Sequence, residues 1–201
     1  MTDYIVVDLE TTGFSSDIHE IIEIGAYKVI NNVAVEQFTT LVKPKNYIPR
    51  NIETITGITN EMLKTASHIE DILPKFYEWQ KGYPLLGHNI GFDYEFLCKT
   101  GKMYGLDFTE AGSKLGIDTL KLSKRYLNLK SNKLADVAAH FDIHVESDVA
   151  YHRAKYDAFV TKLIYDKLLE MNMPDIKIPE DLTVKDRKYG KVVNNDTLSF
   201  N

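Results

Sequence analysis

Three consecutive runs of apolar and β-branched side chains open the sequence, and they constrain the fold more than any other feature. The first run covers residues 4–9 (YIVVDL). The second and third, Ile21 to Ile30 and Val33 to Val42, meet across Asn31-Asn32. Because Asn tolerates the positive φ angles of tight turns, these two runs predict a β-hairpin. The chain therefore begins with three strands of one sheet.

Helical periodicity alternates with short strand-like segments in the rest of the chain. Three opening strands followed by mixed strands and helices predict an α/β protein with a central mixed sheet flanked by helices. Short strands are expected at Pro84-Leu85-Leu86 and Ile117-Asp118. Helices are expected from Ile69 to Trp79, from near Asp93 to Met103, around Leu120 to Tyr126, from Leu134 to Phe141 and from about Arg153 to Glu170.

Length and composition are those of one globular domain with a short appendage. The chain has 201 residues, of which 44% are apolar and 26% charged, ordinary values for a soluble protein. After Met173 the composition becomes polar and loses periodicity. We therefore expect a domain over 1–173 and a C-terminal tail or small extension over 174–201. A single cysteine, no signal-peptide pattern and no membrane-length apolar run predict a cytoplasmic protein without membrane association.

The net charge of −5 argues against a broad basic surface that coats nucleic acid. It does not exclude an enzyme that grips one chain end. A site built from carboxylates is acidic until cations fill it, and those cations then supply the positive charge that binds phosphate.

The first apolar run contains one acid, Asp8, and is followed directly by a second, Glu10. Asp8 and Glu10 are two positions apart, so on a strand their side chains project to the same face. Adjacent buried carboxylates repel each other and need cations or a proton. An isolated pair of this kind is also common at the solvated end of a strand, and the pattern alone does not decide between these interpretations.

Two further segments place acids at helix starts. In GHNIGFD (87–93) Asp93 follows a short strand, and in HRAKYD (152–157) Asp157 shares a helix face with Val160 and Ile164. Each acid has an ordinary interpretation as a helix-capping residue. His152 precedes Asp157 by five residues, so it belongs to the loop before the helix.

Together these residues predict an oxygen-only site for two metal ions. Mg²⁺ and Mn²⁺ prefer carboxylate and water ligands, and the sequence offers no Cys/His cluster for zinc. A structural Ca²⁺ site is an alternative, but the chain has no contiguous D-x-D-x-D-G loop.

The three segments, with DLETTG at 8–13 as the first, resemble the exonuclease motifs of the DnaQ-like DEDDh superfamily. They occur in the family order, and ITGIT (55–59) and Asp118-Thr119 also resemble its intervening landmarks. The resemblance covers about 1–170 and is closest to bacterial proofreading exonucleases of the epsilon-subunit type and the Gram-positive replicative polymerase type. His152 stands where the histidine subclass has its histidine, whereas Arg153 occupies the position of the tyrosine in the other subclass.

The resemblance implies a ribonuclease H-like fold with a five-stranded mixed sheet and a 3′→5′ exonuclease that releases nucleoside 5′-monophosphates. It implies two Mg²⁺ or Mn²⁺ ions held by Asp8, Glu10, Asp93 and Asp157, with His152 as the catalytic base. The residues that it places against the terminal nucleotide are Thr11, Phe14, Ile55, Thr56 and Phe92.

The substrate and the setting of the enzyme remain open from sequence. The expected partner is a nucleic-acid 3′ end, with single-stranded DNA favoured, and a DNA polymerase subunit is a further candidate partner. An exoribonuclease is the main alternative, because the attacked phosphodiester is common to DNA and RNA. A non-catalytic polymerase-associated module is the remote alternative, since all five catalytic positions are intact.

Overall fold

The structure is a computed structural model, and it describes residues 3–109, 116–144 and 153–172. The strands are β1 (Tyr4–Thr11), β2 (Ile21–Ile30), β3 (Val33–Lys43), β4 (Ser67–His68), β5 (Leu85–Gly87) and β6 (Ile117–Asp118). The helices are α1 (Arg50–Thr56), α2 (Asn60–Leu63), α3 (Ile69–Gln80), α4 (Ile90–Met103), α5 (Thr119–Tyr126), α6 (Leu134–His140) and α7 (Ala154–Glu170).

A mixed sheet organises the molecule. Within the described ranges it has six strands in the order β4-β3-β2-β1-β5-β6. The hairpin strands β2 and β3 are antiparallel to each other, and β2 is antiparallel to β1. The strand pairs β1–β5 and β5–β6 are parallel. The central strand β1 therefore has one antiparallel and one parallel neighbour, as the sequence predicted for a mixed sheet.

The two faces of the sheet carry separate apolar cores. Alternation along β1 sends Tyr4 and Val6 into the core that includes residues of α5, α6 and α7. It sends Ile5, Val7 and Leu9 into the opposite core, with residues of α3 and α4. This period of two decides that Asp8 and Glu10 project from β1 on the α7 side of the sheet.

Local sequence signals explain several element boundaries. Asn31 and Asn32 have φ angles of 49° and 70°, which confirms the predicted hairpin turn between β2 and β3. The Thr59 side chain accepts a hydrogen bond from the backbone N–H of Met62, so it caps α2.

Two elements differ from the sequence expectation. The helix α1 begins directly after Pro49 and is absent from the helices expected from sequence. Only Ile52 and Thr56 of α1 are buried, so its sequence has little helical periodicity. The strand β4 is additional to the five that were predicted. It is an exposed two-residue strand paired with β3, and its sequence has no strand-like pattern. The expected class of fold is unchanged by these additions.

The described helices include none with the length and apolar character needed to cross a lipid bilayer.

Candidate active site

The first part of the site lies on β1, where Asp8 and Glu10 stand on the α7 side of the sheet. Across the antiparallel pairing, Asp8 lies opposite Gly25 and Glu10 lies opposite Glu23. The strand register shifts between Glu10 and Thr11, so regular pairing is interrupted directly after the second acid. Both β1 acids are half-buried.

Asp157 reaches the same place from α7. It lies in the first turn of that helix and is only 7% exposed. One oxygen atom from each of Asp8, Glu10 and Asp157 lies within 4.8 Å of the other two. The structure therefore brings together three acids that are separated by up to 149 positions in the sequence.

Asp93 joins the site from the other side of β1. It lies in the first turn of α4 and is buried. Its Oδ1 accepts a hydrogen bond of 2.9 Å from the backbone N–H of Leu9, the residue between the two β1 acids. Asp93 stands outside the three-oxygen group but is anchored directly to the segment that carries two of its members.

The turn that leads into α4 is fixed by the neighbouring strand and helix. The Asp118 Oδ1 accepts a hydrogen bond from the backbone N–H of Asn89 at 3.0 Å. His88 Nε2 donates to the carbonyl oxygen of Asn132 at 2.9 Å, and its Nδ1 pairs with the Thr119 hydroxyl at 2.9 Å. Both ring nitrogens of His88 therefore have structural partners in the surrounding loops.

The electrostatic environment opposes ionisation of the acids. Burial, followed by the charges of Asp93 and Asp157, raises the pKa of Asp8 well above its usual value. Burial also raises the pKa of Asp93 to about 8, although the hydrogen bond from Leu9 acts in the opposite direction.

Glu10 is affected in the same way. Burial and the charges of Asp157 and Glu23 raise its pKa to about 8, and the guanidinium of Arg153 partly offsets this rise. Desolvated carboxylates that repel each other are stabilised by cations. Within the described residues the grouped donors are carboxylate oxygens, the ligands that Mg²⁺ and Mn²⁺ prefer.

The sequence did not predict an ion pair between a buried glutamate, Glu23, and the half-buried Arg153 beside the site. Glu23 is 1% exposed and accepts hydrogen bonds from Arg153 Nη2 at 2.8 Å and from the backbone N–H of Ala154 at 3.0 Å. One signal was available: Glu23 is the only acid inside the apolar run Ile21 to Ile30. Its partner could not be identified, because 130 positions separate the two residues.

Of the five residues expected to contact substrate, two are exposed and three are buried or half-buried. Phe14 is 89% exposed and Ile55 is 48% exposed. Thr11 and Thr56 are buried, and their hydroxyls donate to the backbone oxygens of Gly13 and Ile52. Phe92 is half-buried and packs on Phe96 with a centroid separation of 4.9 Å.

The expected catalytic base, His152, lies outside the described residues, as does the expected tail over 174–201. The described part of the HRAKYD motif begins at Arg153, directly before α7.

Residues 5–165 match the model of the RNase_T family, which is described as an exonuclease. This match covers most of the chain, so the protein belongs to the RNase_T exonuclease family. The predicted membership of the DnaQ-like exonucleases is likewise confirmed by the epsilon-subunit relative described below, and the class of protein defined by the family match and the acidic site is an exonuclease.

The relatives include replicative polymerase proteins. The chain is 41% identical over 169 residues to a DNA polymerase III PolC-type of Caldanaerobacter subterraneus subsp. tengcongensis, covering 84% of this chain and 12% of the relative. It is 36% identical over 169 residues to the DNA polymerase III subunit epsilon of Aquifex aeolicus, covering 83% of this chain and 80% of the relative. The chain thus spans only about 12% of the PolC-type relative but most of the epsilon subunit.

A solved structure shows the same fold. The nuclease domain of 3′hExo, described as a DEDDh family member bound to rAMP, superposes with a TM-score of 0.73 at 20% identity, covering 89% of this chain and 96% of that one. The predicted ribonuclease H-like fold is therefore confirmed, with six strands in the described sheet instead of five.

Proposed function

We propose that this protein is a metal-dependent 3′→5′ exonuclease that acts on DNA and releases nucleoside 5′-monophosphates. The observation that carries the proposal is the convergence of Asp8, Glu10 and Asp157 within one cluster of oxygen ligands, on an exonuclease-family domain. The names of the polymerase III relatives support DNA as the substrate. The same relatives support a role in replication proofreading or repair.

Asp8, Glu10, Asp157 and Asp93 would hold two Mg²⁺ or Mn²⁺ ions. Such ions supply stabilisation of the charge that develops on the attacking and leaving oxygens of an in-line displacement. The charge of the site supports a pair of divalent ions. Because the charge of Glu23 is balanced by its ion pair with Arg153, the four proposed ligands would carry four negative charges once cations favour their ionised forms, which matches the charge of two such cations.

His152 is the proposed general base. Hydrolysis forms a bond between a water oxygen and the terminal phosphorus and breaks the bond to the 3′ oxygen of the preceding nucleotide. The water must lose a proton, and an imidazole with a pKa near about 6.5 can accept it at neutral pH. The assignment is supported by the position of His152 in the sequence, directly before the residue that is ion-paired to Glu23 beside Glu10.

The proposed substrate contacts have two kinds of role. Phe14 and Ile55 are exposed, so their side chains are available to stack on or pack against the terminal nucleotide. Thr11, Thr56 and Phe92 are more enclosed, and we propose that they shape the pocket from beneath.

We further propose a cytoplasmic protein whose partners are a DNA 3′ end and a replicative polymerase subunit. Residues 1–173 would form the exonuclease domain, with 174–201 as a C-terminal extension. Domain and partner proposals rest on the extent of the family match and on the polymerase relatives.

The direct test uses single-stranded DNA labelled at its 5′ end, in parallel with RNA of the same sequence. Asp157→Asn provides the control for contaminating nucleases. The expected result is a ladder that shortens one nucleotide at a time with Mg²⁺ or Mn²⁺, stops with EDTA and is absent in the variant. Immediate release of the 5′ label as a mononucleotide would refute the direction, and faster loss of RNA would identify an exoribonuclease.

A further inference from the structure

We infer that the ion pair between the buried Glu23 and the half-buried Arg153 positions the metal ligands, by setting where Asp157 lies relative to Asp8 and Glu10. The inference rests on the proposed function, because it assigns these residues to the same metal site. Neither Glu23 nor Arg153 belongs to the three-oxygen group. They are therefore positioning residues that act through their neighbours.

Both carboxylate oxygens of Glu23 accept hydrogen bonds. Arg153 Nε donates to both Glu23 oxygens at 3.2 Å, and Nη2 donates to Oε1 at 2.8 Å. The backbone N–H of Ala154 donates to Oε2 at 3.0 Å. Because the Glu23 carboxylate is buried, breaking this pair would leave a desolvated charge without compensation, and the pair therefore holds its two residues in one geometry.

The same pair determines where α7 starts. The carbonyl oxygen of Arg153 accepts hydrogen bonds from the backbone N–H groups of Tyr156 at 2.8 Å and Asp157 at 3.1 Å. Arg153 is therefore tied to β2 through its side chain and to Asp157 through its main chain. A displacement of Arg153 relative to Glu23 moves the first turn of α7 and the carboxylate that it carries.

The register of β1 and β2 completes the connection. Glu23 is the strand partner of Glu10, so the anchor of α7 lies directly beside one of the metal ligands. Gly25 lies two residues after Glu23 on β2, and a Cβ added to it would lie 2.2 Å from the backbone carbonyl carbon of Ala154. The helix start therefore rests on the strand backbone, and the ion pair fixes it at that place.

The most informative test distinguishes a positioning role of the ion pair from a purely electrostatic effect of its charges on metal binding. Arg153→Ala removes a positive charge, and a purely electrostatic role predicts that Mn²⁺ then binds more tightly to the more acidic site. Glu23→Gln removes a negative charge, and the same role predicts weaker binding. Positioning predicts weaker binding in both variants, because each one breaks the anchor of α7.

Mn²⁺ affinity is measured by electron paramagnetic resonance on folded protein well below the melting temperature, with Glu170→Gln as the matched control. That residue forms an exposed ion pair with Lys167 at the far end of α7. We expect Arg153→Ala and Glu23→Gln each to weaken Mn²⁺ binding about 10- to 100-fold, the usual effect of removing a residue that orients metal ligands. The control should match the wild type.

Kinetics provide the second readout. Saturating Mn²⁺ should restore most of kcat in both variants, while the KM for the oligonucleotide stays within about twofold, because ligand placement and not substrate contact is altered. Arg153→Lys should lose less Mn²⁺ affinity than Arg153→Ala, since it keeps the cation but not the paired donors. If Arg153→Ala or Glu23→Gln fails to fold, the Mn²⁺ affinity of Arg153→Lys still tests the inference.

Two outcomes would overturn the inference: Mn²⁺ affinity equal to the wild type in folded Arg153 variants, or tighter binding in Arg153→Ala. Measurements on the wild-type protein distinguish failure of this inference from failure of the proposed function. A wild-type protein that binds Mn²⁺ but leaves DNA intact refutes the nuclease proposal, whereas the affinities of the variants still decide whether the pair positions the ligands.

Discussion

Asp157 shows what the sequence can and cannot establish for a single residue. Its helical spacing to Val160 and Ile164 predicted that it faces the apolar side of α7, and the structure shows it buried on that side. The spacing cannot tell which strand the helix crosses. Its approach to Asp8 and Glu10 depends on contacts such as Glu23–Arg153, which join residues 130 positions apart.

His152 provides a prediction at the residue scale. Replacing it with Ala should lower kcat by at least about 100-fold, because a general base contributes roughly 10²- to 10⁴-fold. Affinity for Mn²⁺ should remain within about twofold, because the proposed ligands are the four acids. Steady-state kinetics and Mn²⁺ titration measure the two effects.

The control for this substitution is His140→Ala, which removes an exposed imidazole at the end of α6 and should leave both quantities unchanged. Wild-type kcat in the His152→Ala protein would contradict the assignment of the base. Loss of Mn²⁺ binding would move His152 into the set of metal ligands.

At the scale of elements, contact between β2 and α7 controls the geometry of the site. The strands and longer helices were predictable because their apolar periods are sustained over many residues. The helix α1, with two buried residues, and the two-residue strand β4 were not predictable, because tertiary contacts stabilise them. The position of α7 on β2 was also inaccessible from sequence, since it depends on the absence of a side chain at Gly25.

Gly25→Ala tests this contact between elements. The new Cβ would lie 2.2 Å from the Ala154 backbone carbon and 2.3 Å from the Lys155 backbone nitrogen, so α7 must move away from β2. We expect a loss of stability of about 1–3 kcal/mol, as in other overpacked interiors, together with weaker Mn²⁺ binding. Thermal unfolding and Mn²⁺ titration provide the measurements.

Gly91→Ala is the matched control on α4, because an added Cβ there meets nothing within 4 Å. This change should leave stability equal or slightly higher, since Ala favours helix more than Gly does. If Gly25→Ala behaved like Gly91→Ala in both assays, the close approach of α7 to β2 would not control the site.

At the scale of the whole molecule, the site is a source of instability that metal ions should relieve. Burial raises the pKa of Glu10 and of Asp93 to about 8, well above the values of exposed acids, with added repulsion from Asp157 and Glu23 at Glu10 and from Asp118 at Asp93. Groups with a raised folded-state pKa contribute stability below the unfolded pKa and lose that contribution as pH rises through the folded pKa. The metal-free protein should therefore lose stability between about pH 4.5 and 8.

Thermal unfolding in EDTA measures this trend. We expect the melting temperature to fall by at least about 3 °C between pH 5.5 and pH 8, equivalent to roughly 1 kcal/mol for a domain of this size. Mg²⁺ should raise the melting temperature more at pH 8 than at pH 5.5, because it binds the ionised acids. A metal-free Glu10→Gln protein should show a shallower pH trend, and a slope identical to that of the wild type would contradict ionisation of the buried acids as its cause.

Crystals grown with Mn²⁺ and measured at the manganese absorption edge test the central claim most directly, namely that acids distant in sequence form one metal centre. The expected result is anomalous density among the carboxylates of Asp8, Glu10 and Asp157, with a second peak towards Asp93, and loss of the first peak in Asp157→Asn. Density confined to other acids, or none at saturating Mn²⁺, would contradict a shared metal centre.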